Sequence, residues 1–261
     1  MSLEFENDRE AIWAVVRCSC YGAAPESFQT RENMDRILDA VGRYTPIGVM
    51  TNPHLAYWLG IAWRNYTSWH VRGEARKPFL ERSIRYFRKA FELSKELPVS
   101  LPEKERHVFG NLDQITIASN LGSMLMNEKL VRDLEAAEKV LTFVWNNTPY
   151  CEPSLYSYLH LFYQKGEYLK SVDLALELYE RTKQFPVFQG RVPLTSLGYA
   201  ARAYRALGNK AKREGRFDIA YDWYSKIEDP FTTANDAKIL DRLEYTQWAG
   251  IHFLMTMSEF L

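Results

Sequence analysis

Between Tyr204 and Pro230 two amphipathic stretches meet at Glu214-Gly215-Arg216, and this juxtaposition narrows the choice of fold more than any other feature of the chain. Tyr204, Leu207, Gly208 and Ala211 recur at spacings that share one face of a helix, and Phe217, Ala220, Tyr224 and Ile227 do the same after the break. A large residue on one helix then faces a small one on the other, which lets two helices approach closely as a hairpin.

The chain upstream repeats this logic. Asn52-Pro53 offers a side-chain acceptor at the N-cap and proline at the first helical position, opening a helix through Leu59, Gly60 and Trp63. Its partner is expected from Phe79 to Leu97, with Ser83, Phe87 and Ala90 inward. Residues 66–77 are long for a repeat turn, so either the first helix extends past Trp69 or a polar loop bulges there. Asn111-Leu-Asp-Gln114 resembles a capping box before a helix carrying Ala118, Leu121, Gly122 and Leu125, answered from Arg132 by Ala137, Leu141 and Val144. Pro153 opens a third pair: Leu155, Tyr158, Leu159 and Phe162, a turn at Gly166, then Ser171, Ala175 and Leu178. Ahead of these, residues 1–50 read as an N-terminal helical pair or cap. Behind them, 231–261 reads as one long helix that covers the last exposed face.

Totals exclude several classes. With 46% hydrophobic and 25% charged residues in 261, the chain has the material for a core. Lys plus Arg equals Asp plus Glu at 33 each, so no global field favours nucleic acid or an anionic surface, and electrostatic choice must be local. No basic n-region precedes an apolar run, and no run reaches the roughly 20 residues that span a bilayer. A cytoplasmic protein with no membrane segment is expected. Cys18, Cys20 and Cys151 lack metal or redox spacing and read as reduced thiols. His54, His70, His107, His160 and His252 are scattered, without metal-ligand spacing, and no phosphate-binding loop, dinucleotide fingerprint or hydrolase motif is found. No metal, cofactor or catalytic residue is expected.

The pattern W-x-x-L-G-x-x-Y, then A-x-x-x-F, then P, resembles the tetratricopeptide repeat. Tyr204 takes the Trp slot, Ala211 the Tyr slot, Tyr224 the Phe slot and Pro230 falls slightly early. The resemblance covers four hairpins over 51–230, with Leu-Gly in three of them. It implies an all-α superhelix, a hairpin solenoid in a single domain over 1–261, with the long C-terminal helix as its cap. It also implies a non-catalytic interaction module whose first helices line a concave groove. Carried over position by position, the groove holds Arg202, Arg205, Asn209, Lys212 and Arg213 in the last hairpin. Tyr156, His160, Tyr163 and Gln164 fall there in the third, Thr116, Ser119, Ser123 and Asn127 in the second, and His54, Tyr57, Arg64 and Asn65 in the first.

Such a trough, basic toward its C-terminal end, suits a protein or peptide partner with acidic residues. Arg205 and Asn209 also resemble part of a carboxylate clamp for acidic C-terminal tails, although the two repeats that would complete it are replaced by one helix. Two other readings stand beside this one. One is nucleic acid on the face from Arg202 to Arg216, against which the neutral balance argues. The other is a small molecule sensed around Trp58, Trp63 and Trp69. A homo-oligomer through the C-terminal helix is a further expectation.

Overall fold

The structure is a computed structural model that describes residues 15, 30–102, 105, 111–148, 154–182 and 191–227. Among these the chain is all-helical, with nine α-helices and no strand. Of the expected N-terminal pair or cap over 1–50 only residues 15 and 30–50 are described, and the expected C-terminal helix over 231–261, with its cap and oligomer roles, and the three cysteines lie outside the described residues. The chain divides into two compact units, residues 1–147 and 148–261.

The first unit contains α1 (Arg31–Tyr44), α2 (Pro53–His70), α3 (Lys77–Leu93), α4 (Gln114–Asn127) and α5 (Leu134–Asn147). Helices α2 and α3 pack as one hairpin and α4 and α5 as another, with α3 also against α4 and α1 against α2. The start of α2 follows the sequence logic: Pro53 is in the first turn, and the Asn52 side chain accepts from the backbone N–H of His54 at 2.9 Å and of Leu55 at 3.2 Å. At α4 the cap is Asp113, two residues beyond the Asn111 expected to begin the motif. One Asp113 oxygen accepts from Thr116 N at 2.7 Å and the other from Leu101 N at 2.8 Å, so the carboxylate ties the incoming chain to the helix as well as capping it. Asn111 instead donates to the Glu105 carbonyl.

The long connection in the first hairpin resolves as a helix extension. Helix α2 continues to His70, and a 3-10 turn over Gly73–Arg76 leads directly into α3. The added length leaves the hairpin geometry intact. Ser83 Oγ donates to the Gly60 carbonyl at 2.6 Å across a separation of 23 residues, and Ser171 Oγ makes the equivalent bond to the Leu159 carbonyl at 3.1 Å across 12. Relative to the shorter hairpin, four residues are added to the first helix and three to the second, about one turn each at 3.6 residues per turn, so both bonded residues return to the same face, and the other four lengthen the connection.

The second unit contains α6 (Ser154–Lys165), α7 (Tyr168–Thr182), α8 (Arg191–Arg213) and α9 (Phe217–Ser225). Both of its hairpin turns are set by glycine in the left-handed region, Gly166 at φ 78° and Gly215 at φ 73°. Each closes the preceding helix with the six-to-one bond of a Schellman motif, Glu167 N to Phe162 O at 2.9 Å and Arg216 N to Ala211 O at 3.0 Å. Helix α8 packs on α7, α6 and α9.

Three hairpins share one close approach. A Cβ on Gly60 would stand 2.9 Å from the Phe87 ring, one on Gly122 would stand 2.5 Å from Leu141, and one on Gly208 would run into the Tyr224 ring. The Leu-Gly pair thus marks where a first helix admits a large side chain of the second. In the α6/α7 hairpin Leu159 stands in place of the glycine and is fully buried, opposite the small Ser171. One inward expectation fails: Phe217 is 67% exposed, because α9 turns Ala220, Tyr224 and Ile227 to the core and its first residue away from it.

Candidate functional site

Of the expected groove residues, His54, Tyr57, Arg64, Asn65, Thr116, Ser119, Ser123 and Asn127 belong to the first unit and the other nine to the second. The two sets meet different fates.

In the first unit the polar side chains satisfy one another. Arg64 Nη1 donates to Asn120 Oδ1 at 3.1 Å, and the Asn120 amide donates to the Tyr57 hydroxyl at 3.1 Å and to the Thr116 carbonyl at 3.0 Å. Tyr57 differs from the expected open groove residue. It is 7% exposed, with its ring edge-on to Phe87 and Trp58 at 5.8 and 5.3 Å. A ring this size at the hairpin seam is drawn inward by the area it buries, leaving its hydroxyl for the network. Burial draws the Arg64 guanidinium below the usual arginine range, opposed by the nearby Tyr57 and Glu128 groups. Asn127, exposed at the end of α4, donates to Ser123 Oγ at 3.1 Å. Asn120, the hub, was missed. It falls one position off the groove register carried over from the repeat pattern, and only its place one turn beyond Thr116 hinted at a role.

In the second unit His160 and Tyr163 from α6 and Arg202, Arg205, Asn209 and Arg213 from α8 line one hollow of about 520 Å³, joined by Tyr168, Tyr199 and Ala206. The aromatic walls brace one another. His160 and Tyr163 stack at 6.1 Å with 11° between planes, Tyr199 meets His160 edge-on at 6.0 Å, and Tyr163 meets Tyr168 edge-on at 5.3 Å. Tyr156 stacks on Tyr199 at 6.1 Å from behind this set. The Arg202 guanidinium lies 5.6 Å above the Tyr199 ring, a placement that holds its plane and leaves its edge for an acceptor. Burial pushes the Tyr199 phenol up, and Arg202 pulls it back only in part, so it stays a neutral donor at physiological pH.

Asn209 is held by α9, where the Tyr224 hydroxyl donates to its Oδ1 at 2.8 Å. With its oxygen engaged, the amide presents its N–H groups. Arg213 Nε donates to the Asn209 carbonyl at 3.2 Å, which fixes the stem and leaves the terminal nitrogens. Among the described residues no carboxylate lies within ion-pair distance of Arg202, Arg205 or Arg213, and the hollow's described lining contains no acid. Lys212 is exposed and is not among the lining residues. The negative end of the α8 dipole accounts for bases in the last turn, Lys210, Lys212 and Arg213, but the effect fades within a turn and does not reach Arg202 or Arg205. Tyr168 and Tyr199 were not foreseen. Tyr199 lies one turn ahead of Arg202 on the same face, a spacing that could have found it, whereas Tyr168 comes from a second helix and carried no groove signal.

Among the described residues no group of three His, Cys, Asp or Glu side chains is placed to hold a metal ion, and no helix is long and apolar enough to cross a membrane.

No family model matches the sequence. No curated protein matches it either. Among solved structures the chain is similar to a Podosopora anserina putative kinesin light chain described as nearly identical TPR-like repeats, at 11% identity and a TM-score of 0.49, over 87% of this chain and 98% of that one. The repeat assignment rests on the hairpins themselves. Successive helices pack in pairs, a Leu-Gly site accepts a large partner in three of them, and a Ser-to-carbonyl bond recurs at one register in two. These are TPR-like hairpins.

Proposed function

We propose that the chain is a non-catalytic protein-interaction module whose second unit holds an acidic peptide segment in the hollow between α6 and α8. One observation carries this reading: three arginines and an oriented asparagine amide face a space walled by aromatic rings, with no acid of the described chain to neutralise them. Guanidinium groups supply paired donors in fixed geometry for carboxylates, and rigid rings supply contact area at little entropic cost. A hollow of about 520 Å³ takes one or two side chains, so the remaining peptide would lie along α8 toward Lys212.

Supporting the reading over an enzymatic one, the lining is made of groups that bind and orient oxyanions and includes no carboxylate base. The test is fluorescence anisotropy with a degenerate 12-residue peptide pool biased to Asp and Glu, beside a pool of the same aromatic content biased to Gln and Asn. Preferential binding of the acidic pool that disappears in Arg205→Glu/Arg213→Glu supports the proposal. Equal binding of both pools, or an unaffected variant, overturns it. An oligonucleotide of matched charge that competes fully would transfer the site to nucleic acid.

A further inference from the structure

The first unit has its own hollow, of about 690 Å³, where α1 and the segment after it meet α2 and α3. It lies away from the Tyr57–Asn120–Arg64 network, and no groove position of the repeat maps to it. Three arginines line it, Arg43 from α1 and Arg82 and Arg85 one turn apart on α3. The only carboxylate among the described lining residues is Asp39, leaving an excess of two positive charges. Among the described residues none of these arginines is within ion-pair distance of an acid; Arg43 Nε is engaged by the Asp39 backbone carbonyl at 3.3 Å, not by its carboxylate.

The wall between the charges is aromatic. Trp63 and Tyr86 both line the hollow, and the Arg82 guanidinium stacks 4.5 Å over the Trp63 ring. Stacking fixes the guanidinium plane and leaves its edge donors for a ligand. Arg82 and Arg85 both act on the Tyr86 phenol, countering the rise that burial imposes on it, so the two charges converge on one point of the wall.

Trp63 also carries a buried polar group at this wall. It is 3% exposed, and its indole Nε1–H has no acceptor. A buried donor left unpaired loses its hydration without compensation, and native proteins rarely leave one so. Beside the hollow, between lining residues Arg43 and Pro46, the hydroxyl of fully buried Thr45 is orphaned as well.

We propose that this hollow is a binding site for a small phosphate monoester carrying a planar organic group. At neutral pH a phosphate monoester carries close to two negative charges, matching the excess in the hollow, and offers three acceptor oxygens to the guanidinium edges. The attached ring lies against the Trp63 and Tyr86 wall. The volume is within the range of pockets that enclose molecules of this size.

The test is NMR of the full chain with ¹⁵N-labelled tryptophan, following the backbone-assigned Trp63 indole N–H during titration with phenyl phosphate, inorganic phosphate and benzyl alcohol. Through the Arg82 guanidinium stacked on its ring, phenyl phosphate is expected to move that resonance in a saturable manner, more tightly than inorganic phosphate, with benzyl alcohol silent. Arg82→Ser/Arg85→Ser alters two exposed side chains and is expected to weaken phenyl phosphate at least about tenfold while circular dichroism stays native. No shift up to about 10 mM phenyl phosphate, an equal response to benzyl alcohol, or an unchanged affinity in the double variant would overturn the site. Equal affinity for inorganic phosphate would overturn the assignment to an ester.

Discussion

The two units solve the same problem, polar side chains on the first helices of hairpins, in opposite ways. In the first, Arg64 is half-buried and its guanidinium is spent on Asn120, which in turn is spent on Tyr57 and Thr116. In the second, Arg202, Arg205 and Arg213 stand at a hollow with no acid among the described residues to receive them. Position in a repeat therefore does not tell whether a polar side chain is committed inside the protein. Commitment depends on the neighbouring helix: α4 offers Asn120 to α2, whereas α6 offers α8 rings that stack but do not neutralise.

The largest expected effect breaks this contrast if it fails. Arg205→Glu/Arg213→Glu should weaken acidic peptide binding by at least about 100-fold, roughly 3 kcal/mol. Stability, by chemical denaturation, should stay within about 0.5 kcal/mol per site, because the replaced groups hold no internal ion pair. Arg64→Met should do the reverse, leaving peptide affinity within about twofold and costing about 1–2 kcal/mol by orphaning Asn120. If Arg64→Met abolished binding instead, the first unit would carry the site.

Next in size are the close-approach glycines. Gly122→Ala and Gly208→Ala should each destabilise by about 1–3 kcal/mol through overpacking. Gly208→Ala should cost more, since the obstructing atoms belong to a rigid ring whose hydroxyl is anchored on Asn209, whereas those at Gly122 belong to the aliphatic Leu141 side chain, which no hydrogen bond anchors. Only Gly208→Ala should also lower peptide affinity, because displacing Tyr224 releases Asn209. Denaturation curves paired with anisotropy separate the two glycines. Smaller still, a double-mutant cycle of Tyr57→Phe and Asn120→Ala should show a coupling of about 0.5–1.5 kcal/mol, the worth of one part-buried hydrogen bond.

What the sequence showed and what it hid have physical reasons. Leu-Gly spacing revealed the hairpins because a missing Cβ at a helix crossing has a periodic signature, and Gly166 and Gly215 revealed the turns because positive φ selects glycine. Six residues lining the second hollow came from the groove positions carried over from the repeat resemblance, which a one-dimensional pattern along one helix face can hold. Tyr168 escaped because it reaches the hollow from α7, across space that no spacing on α6 or α8 encodes. The inward turn of Tyr57 escaped too, since a tyrosine at a groove position is ambiguous between a ring that buries itself and one that serves a ligand. Asp113 over Asn111 as the cap was decided by Leu101, a partner 12 residues upstream whose arrival a local motif does not contain.

Phe217 gives the smallest and sharpest contrast within a single helix. Its spacing to Ala220, Tyr224 and Ile227 placed it on the packing face, yet it is 67% exposed while those three are buried. The turn explains this: Gly215 at φ 73° and the Arg216 bond back to Ala211 bring the chain in at the helix's first residue, before α9 has closed on α8. A side chain there is mostly in solvent, and its removal forfeits little burial. Phe217→Ser should therefore change unfolding free energy by no more than about 0.5 kcal/mol, against about 3–5 kcal/mol for Tyr224→Ala two turns further along the same helix. A loss at Phe217 comparable to that at Tyr224, measured in the same denaturant series, would mean that the ring is buried in solution, and that spacing, not the turn, sets the face of α9.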